Sequence, residues 1–157
     1  MADMAEAVSV RPFTFQDVPE LHAMMRELAA FEDYLDDFAV TQDDIIAHGL
    51  QATPPSFRAW IAETADECVG MAVTYQLPWT YDRKPRIVLK ELFVRAHARG
   101  KGAGFALMST VQAHATALGA SGVSWTVMDG NEKAETFYAR LDGSPDAKWN
   151  NWRWDRS

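Results

Sequence analysis

Arg99-Gly100-Lys101-Gly102-Ala103-Gly104 joins a strand-like run, Arg86 to Val94, to a helix-like run, Gly102 to Leu118, and this strand, turn, helix order decides the fold. The run before it has the nearly unbroken apolar texture of a buried central strand. The run after it carries Leu107, Val111, Ala115 and Leu118 along one helical face, with Gly119 as a natural terminator. The glycines lack side chains, so the backbone approaches a ligand closely, and the free N–H groups of the first helical turn suit a phosphate. Arg99 and Lys101 add positive charge nearby. Turns also use glycine for conformational reasons, so the segment alone reads equally as an anion site or a plain turn. The spacing GxxxxGK[ST] is absent, and GKGAG lacks the GxGxxG spacing of a dinucleotide domain, whose glycines would follow the first strand.

Outward from the turn, Val8 to Phe13 alternates as a first strand would, and Thr14 with Asp17 reads as a capping box. A helix follows from Phe15 to Phe31, its stripe carried by Val18, Leu21, Met25, Leu28 and Ala29. Thr41 caps a shorter helix that starts with Asp43 and Asp44 and stops near Gly49. Phe57 to Thr64 and Cys68 to Gln76 form a hairpin across Ala65-Asp66-Glu67. Beyond Gly119 come a strand, Val123 to Met128, a helix from Glu132 to Leu141 and a tryptophan-rich final strand. The order predicts an α/β domain with a mixed sheet.

At 157 residues, 48% hydrophobic and 24% charged, the chain suits one globular domain, 1–157, with its core over about 8–155. No run is long enough to span a bilayer, and Met1 to Val10 lacks a basic start and an apolar run, so a cytoplasmic protein with no membrane partner is expected. The single cysteine, Cys68, excludes an internal disulfide and cannot alone make a zinc site. A net charge of −7 argues against nucleic acid and suits a cationic partner. The acidic pairs Glu32-Asp33, Asp36-Asp37 and Asp43-Asp44 read individually as solvated surface. His22, His48, His97 and His114 are too scattered for a metal centre, so no metal is expected.

The stretch Leu92-Phe93-Val94 followed by Arg99-Gly100-Lys101-Gly102-Ala103-Gly104 resembles the R/Q-x-x-G-x-G/A acetyl-CoA signature of the GNAT superfamily of N-acetyltransferases. Asn131 and Phe137-Tyr138 resemble its downstream segment. Arg26-Glu27-Leu28-Ala29, Phe31-Glu32 and Ile87-Val88-Leu89 look like the diamine branch, which acts on spermidine, spermine and thialysine. The resemblance implies a GNAT-like single domain: a mixed, mostly antiparallel sheet flanked by helices, with splayed central strands forming the acyl-CoA cleft. It further implies acetyl-CoA as cosubstrate, with pantetheine along Leu92, Phe93 and Val94 like an added strand and pyrophosphate at Arg99, Gly100, Lys101, Gly102, Ala103, Gly104 and Phe105. Asn131, Glu132, Lys133 and Ala134 match cofactor-lining positions. Phe31, Glu32, Ser124, Trp125 and Thr126 match the acceptor site, and the related enzymes are commonly homodimers.

An amine with a pKa near ~10 must lose a proton before attacking a thioester. The expelled thiolate needs a donor, and the family uses the tyrosine matching Tyr138. The diamine enzymes carry consecutive acidic residues where this chain has Lys90 and Glu91. Lysine cannot be a carboxylate base, so Glu91 is the remaining candidate and Lys90 is expected to meet a substrate carboxylate. Strand alternation places the two on opposite faces unless a bulge re-aims Glu91. Glu32 reads either as a holder of a distal ammonium or as a solvated helix-end carboxylate. Trp60, Trp79, Trp125, Trp149, Trp152 and Trp154 read first as core packing, and Cys68 as an unreactive strand residue. The expected activity is acetyl transfer to a small-molecule primary amine. The alternatives are a peptide or protein N-acetyltransferase and a silent acyl-CoA-binding module.

Overall fold

Five β-prone segments build one sheet in the computed structural model, which describes residues 7–78 and 81–157. Strands β1 (Ser9–Pro12), β2 (Arg58–Glu63), β3 (Cys68–Leu77), β4 (Arg86–Val94) and β5 (Val123–Ser124) lie side by side in chain order. The first four pair antiparallel, and β4 pairs parallel with β5. Helices α1 (Val18–Phe31), α2 (Gln42–Ile45), α3 (Ala103–Ala117) and α4 (Glu132–Ala139) complete the order. The chain divides into two compact units, Met1–Trp125 and Thr126–Ser157. Among the described residues no helix is long and apolar enough to cross a membrane.

In the first unit, α1 covers one sheet face. Its stripe of Val18, Leu21, Met24, Met25 and Leu28 is buried in a cluster with Ala59, Ile61, Met71, Val73 and Phe93. On the other face α3 buries Leu107, Met108, Val111 and Ala115, the His114 ring meets Trp60 edge-on at 5.0 Å, and a Cβ on Gly70 would stand 3.2 Å from Leu107. Two guanidinium groups fasten helix to sheet. Arg11 on β1 donates to both oxygens of Asp17 at 2.6 and 2.8 Å and to Glu63 on β2 at 2.7 and 3.1 Å. Arg95, just past β4, donates to Glu20 and Glu27 of α1 at 2.9 and 3.1 Å. The Asp17 carboxylate also accepts from the Thr14 N–H at 2.7 Å, closing the turn before α1.

Several expectations need correction. The helix expected from Phe15 begins as a tighter 3-10 turn, and α1 proper starts at Val18. The second helix widens into a π-helical turn through Gln51 rather than stopping at Gly49, where a Cβ would stand 2.6 Å from the Phe57 ring. Leu118 is exposed, because α3 ends at Ala117 and the chain turns away at Gly119. The strand expected through Met128 ends at Ser124, where its ladder with β4 ends at Val88. The tryptophan-rich terminus forms no strand, since no ladder partner meets it among the described residues. Trp149, Trp152 and Trp154 are exposed rather than core residues, whereas Trp60 is buried and Trp125 half-buried. Trp79 lies outside the described residues.

Candidate active site

The register of β3 and β4 contains the decisive irregularity. Val73 faces Glu91 and Thr74 faces Leu89, so Lys90 is an extra, unmatched residue on β4. Opposed residues share a sheet face. Leu89 therefore lies with Thr74 on the α3 side, while Glu91 and Phe93 lie with Val73 and Met71 on the α1 side. Without the bulge, strict alternation would leave Glu91 on the face of Ile87 and Leu89. The apolar texture of the strand is kept on both faces, and the extra residue, Lys90, is exposed.

The α1 side presents the other acceptor candidates. After Phe31, Asp33 takes a left-handed φ of 61°, and the Tyr34 N–H turns back to the Ala29 carbonyl at 2.9 Å. This turn brings Glu32 and Tyr34 within electrostatic reach of Glu91. Burial, then the charges of Glu91 and Glu32, push the Tyr34 hydroxyl up to about 12, so it remains an O–H donor at neutral pH. Burial also raises the Glu91 carboxyl above the ordinary range; the Lys90 charge opposes this and the Glu32 charge adds to it. Glu91 Oε2 is closed off from solvent and has no hydrogen-bond partner among the described residues. A half-buried carboxylate with a spare oxygen and a raised pKa is a proton acceptor poised nearer neutrality than a surface glutamate. Tyr34 had no motif to mark it. Its signal was an aromatic residue within the acidic run just past the first helix.

β4 also offers backbone. Its pairing with β5 covers only Ile87 and Val88, so among the described residues no strand continues along that edge past Val88. Beyond that ladder, β4 backbone is available to pair with an extended amide chain. At the turn, Gly100 and Gly102 adopt φ of 78° and 89° with nothing within 4 Å of a Cβ at either. The first α3 bond runs from the Ala106 N–H to the Gly102 carbonyl at 3.0 Å, so the N–H groups of Ala103, Gly104 and Phe105 precede the helical ladder. Donors, space and an open strand edge fit a diphosphate carrying an amide arm. Lys101 and Phe105 are exposed beside them.

Other candidates have defined places. Arg99 donates from Nε to the Val94 carbonyl at 2.9 Å and lies over the Phe31 and Phe93 rings. The Ser124 hydroxyl accepts from Arg86 Nε. His97 contacts Glu67 at 2.7 Å, and His22 meets the Val40 carbonyl at 2.7 Å. Burial pushes the Cys68 thiol up, away from a thiolate nucleophile. In the second unit, which begins at Thr126, Asn131 Oδ1 accepts from the Ala134 N–H at 3.1 Å and caps α4, whose first turn holds Glu132 and Lys133. The Phe137 and Tyr138 rings meet edge-on at 5.3 Å near its end.

Comparison with known proteins identifies the family and the fold. Residues 18–143 match the model of the acetyltransferase (GNAT) family. The chain belongs to that family and is an acetyl-transferring enzyme. It is 26% identical over 160 residues to a thialysine N-epsilon-acetyltransferase of Sus scrofa, covering 95% of this chain and 93% of the relative. A counterpart in Bos taurus is 25% identical over 141 residues, covering 85% and 82%. Among solved structures, an aminoglycoside acetyltransferase from an uncultured soil metagenomic sample shares the fold with a TM-score of 0.80 at 17% identity, covering 96% and 97%.

Proposed function

We propose that this enzyme moves the acetyl group of acetyl-CoA to a primary amine of a small molecule, a diamine, polyamine or thialysine-like amino compound. The observation that carries the reading is the bulge at Lys90, which sets the Glu91 carboxylate on the same side of the sheet as the acidic end of α1. Acetyl-CoA use is the family's property, and the glycine turn and open β4 edge suit it. In this reading Leu92, Phe93 and Val94 hold the pantetheine arm, the backbone from Arg99 to Phe105 holds the pyrophosphate, and residues 131–134 line the cofactor.

The chemistry follows from the charges. The acceptor arrives as an ammonium, and Glu91 takes one proton from it. The freed nitrogen attacks the thioester carbonyl, the C–N bond forms and the C–S bond breaks. The departing sulfur takes its proton from Tyr138, and the second proton, lost from the nitrogen as the amide forms, restores the Tyr138 hydroxyl. Glu32 attracts a second ammonium, while Phe31, Ser124, Trp125 and Thr126 shape the pocket. The proposed setting is one cytoplasmic catalytic domain, working as a homodimer.

Tyr138→Phe is expected to lower kcat about tenfold, a modest loss because a thiolate leaves readily, with acetyl-CoA affinity kept. Unchanged kcat at every pH would remove Tyr138 from the reaction. Lys90, exposed at the bulge, is assigned to a substrate carboxylate. Lys90→Glu is expected to shift the kcat/KM ratio of diamine over amino acid about tenfold toward the diamine, by replacing attraction with repulsion. An unmoved ratio would dismiss that role. The reading as a whole is tested by CoA thiol release across polyamines, amino acids, antibiotics and peptides. Turnover of peptides alone, or of nothing, overturns it.

A further inference from the structure

We infer that the Arg99 side chain is a positioning element of the amine site: it pins Phe31, the last residue of α1, against the end of β4. The inference rests on the proposed assignment of Phe31 and Glu91 to the acceptor site, and it leaves the Arg99 backbone in the glycine turn. Arg99 follows β4 in a segment that also holds Lys101 and the glycine turn, so its charge would ordinarily be assigned to phosphate. Its recorded contacts point elsewhere. The guanidinium carbon lies 5.3 Å from the Phe31 ring centroid and 5.9 Å from that of Phe93, and Nε donates to the Val94 carbonyl at 2.9 Å.

The two rings differ in what holds them. Phe93 is 7% exposed and belongs to the core cluster, so it is a fixed anchor. Phe31 is 62% exposed, so burial does little to fix its ring. A flat cation within reach of both rings, with one N–H committed to a strand carbonyl, transmits the order of β4 to the end of α1. Phe31 is followed by Glu32, and Phe93 lies two residues from Glu91 on the same face. Holding Phe31 to Phe93 therefore sets the spacing between the two carboxylates expected to receive the amine. Lysine, a hydrated point charge without the planar fork, cannot replace it.

The test uses the full chain with Arg99→Ala, Arg99→Lys, Phe31→Ala and the double alanine variant. Acetyl-CoA is titrated calorimetrically, and the KM of the best amine is measured at saturating acetyl-CoA. Arg99→Ala is expected to raise the amine KM about fivefold, with the acetyl-CoA Kd changed less than about threefold. Lysine should not restore the KM, and Arg99→Ala should add nothing to Phe31→Ala. A Kd weakened tenfold or more with an unchanged amine KM overturns the inference, as does full additivity of the two alanine effects. If the wild type turns over no amine, the proposed function fails separately. The Arg99–Phe31 coupling in urea unfolding then decides: non-additivity retains the pinning contact and additivity removes it.

Discussion

Replacing Glu91 with glutamine is expected to lower kcat/KM for the amine by a factor of about 10² to 10³, the usual worth of a positioned base. Glutamine keeps the shape of the side chain and loses its charge and its ability to take a proton. The pH profile gives the sharper reading. The raised pKa of Glu91 means that wild-type kcat/KM should climb with pH through a limb lying above the ordinary carboxylate range. The glutamine variant should lack that limb. Stability changes in the opposite direction. A carboxyl whose folded pKa is raised opposes folding once pH exceeds its unfolded value, so removing its charge should not weaken the fold at neutral pH. A variant that stays folded and loses its rate therefore reports on chemistry. Retention of both wild-type rate and pH limb would exclude Glu91 as the base.

The second large effect concerns Asp17, whose carboxyl the Arg11 guanidinium holds down at about 2, against burial that pushes it up. Asp17→Asn is expected to cost about 2 kcal/mol of unfolding free energy at pH 7, read from urea curves. A depressed carboxyl contributes its stability above the unfolded value, near 3.8, and loses it as pH falls toward 2. Wild-type stability should thus decline across that window, with a shallower decline in the asparagine variant. Equal stability at pH 7 would mean that Arg11 is held well enough by Glu63 alone.

Both side chains sit in patterns the sequence partly reveals. The Thr14 and Asp17 spacing announced the turn before α1, and the apolar run Arg86 to Val94 announced β4 with its observed bounds. The ion triad was hidden because Glu63 is 52 residues from Arg11, and only pairing of β1 with β2 brings them together. The bulge left a trace in the adjacent charges Lys90-Glu91, which interrupt an apolar strand where alternation would force one charge against a covered face. Which residue becomes the extra one depends on the β3 register, and that is a tertiary property. Tyr34 needed the left-handed turn at Asp33 to bring it near Glu91. At the terminus, the tryptophan-rich segment was expected to be a strand, but a strand exists only where a neighbour supplies the ladder.

The glycine turn was legible as a conformation, since Gly100 and Gly102 hold positive φ, and ambiguous as a site. Unladdered N–H groups occur at every helix start, so it is the proposed function that gives those at this turn a phosphate to bind. The central claim, acetyl transfer to a small amine, is tested most directly by measuring two products together. Purified enzyme is mixed with acetyl-CoA and the amine that turns over best, and free CoA thiol and acetylated amine are quantified in the same samples. The account predicts that they rise one for one, and that both fall together in Glu91→Gln. Tight binding of acetyl-CoA with no acetylated amine, or thiol released without it, would contradict it.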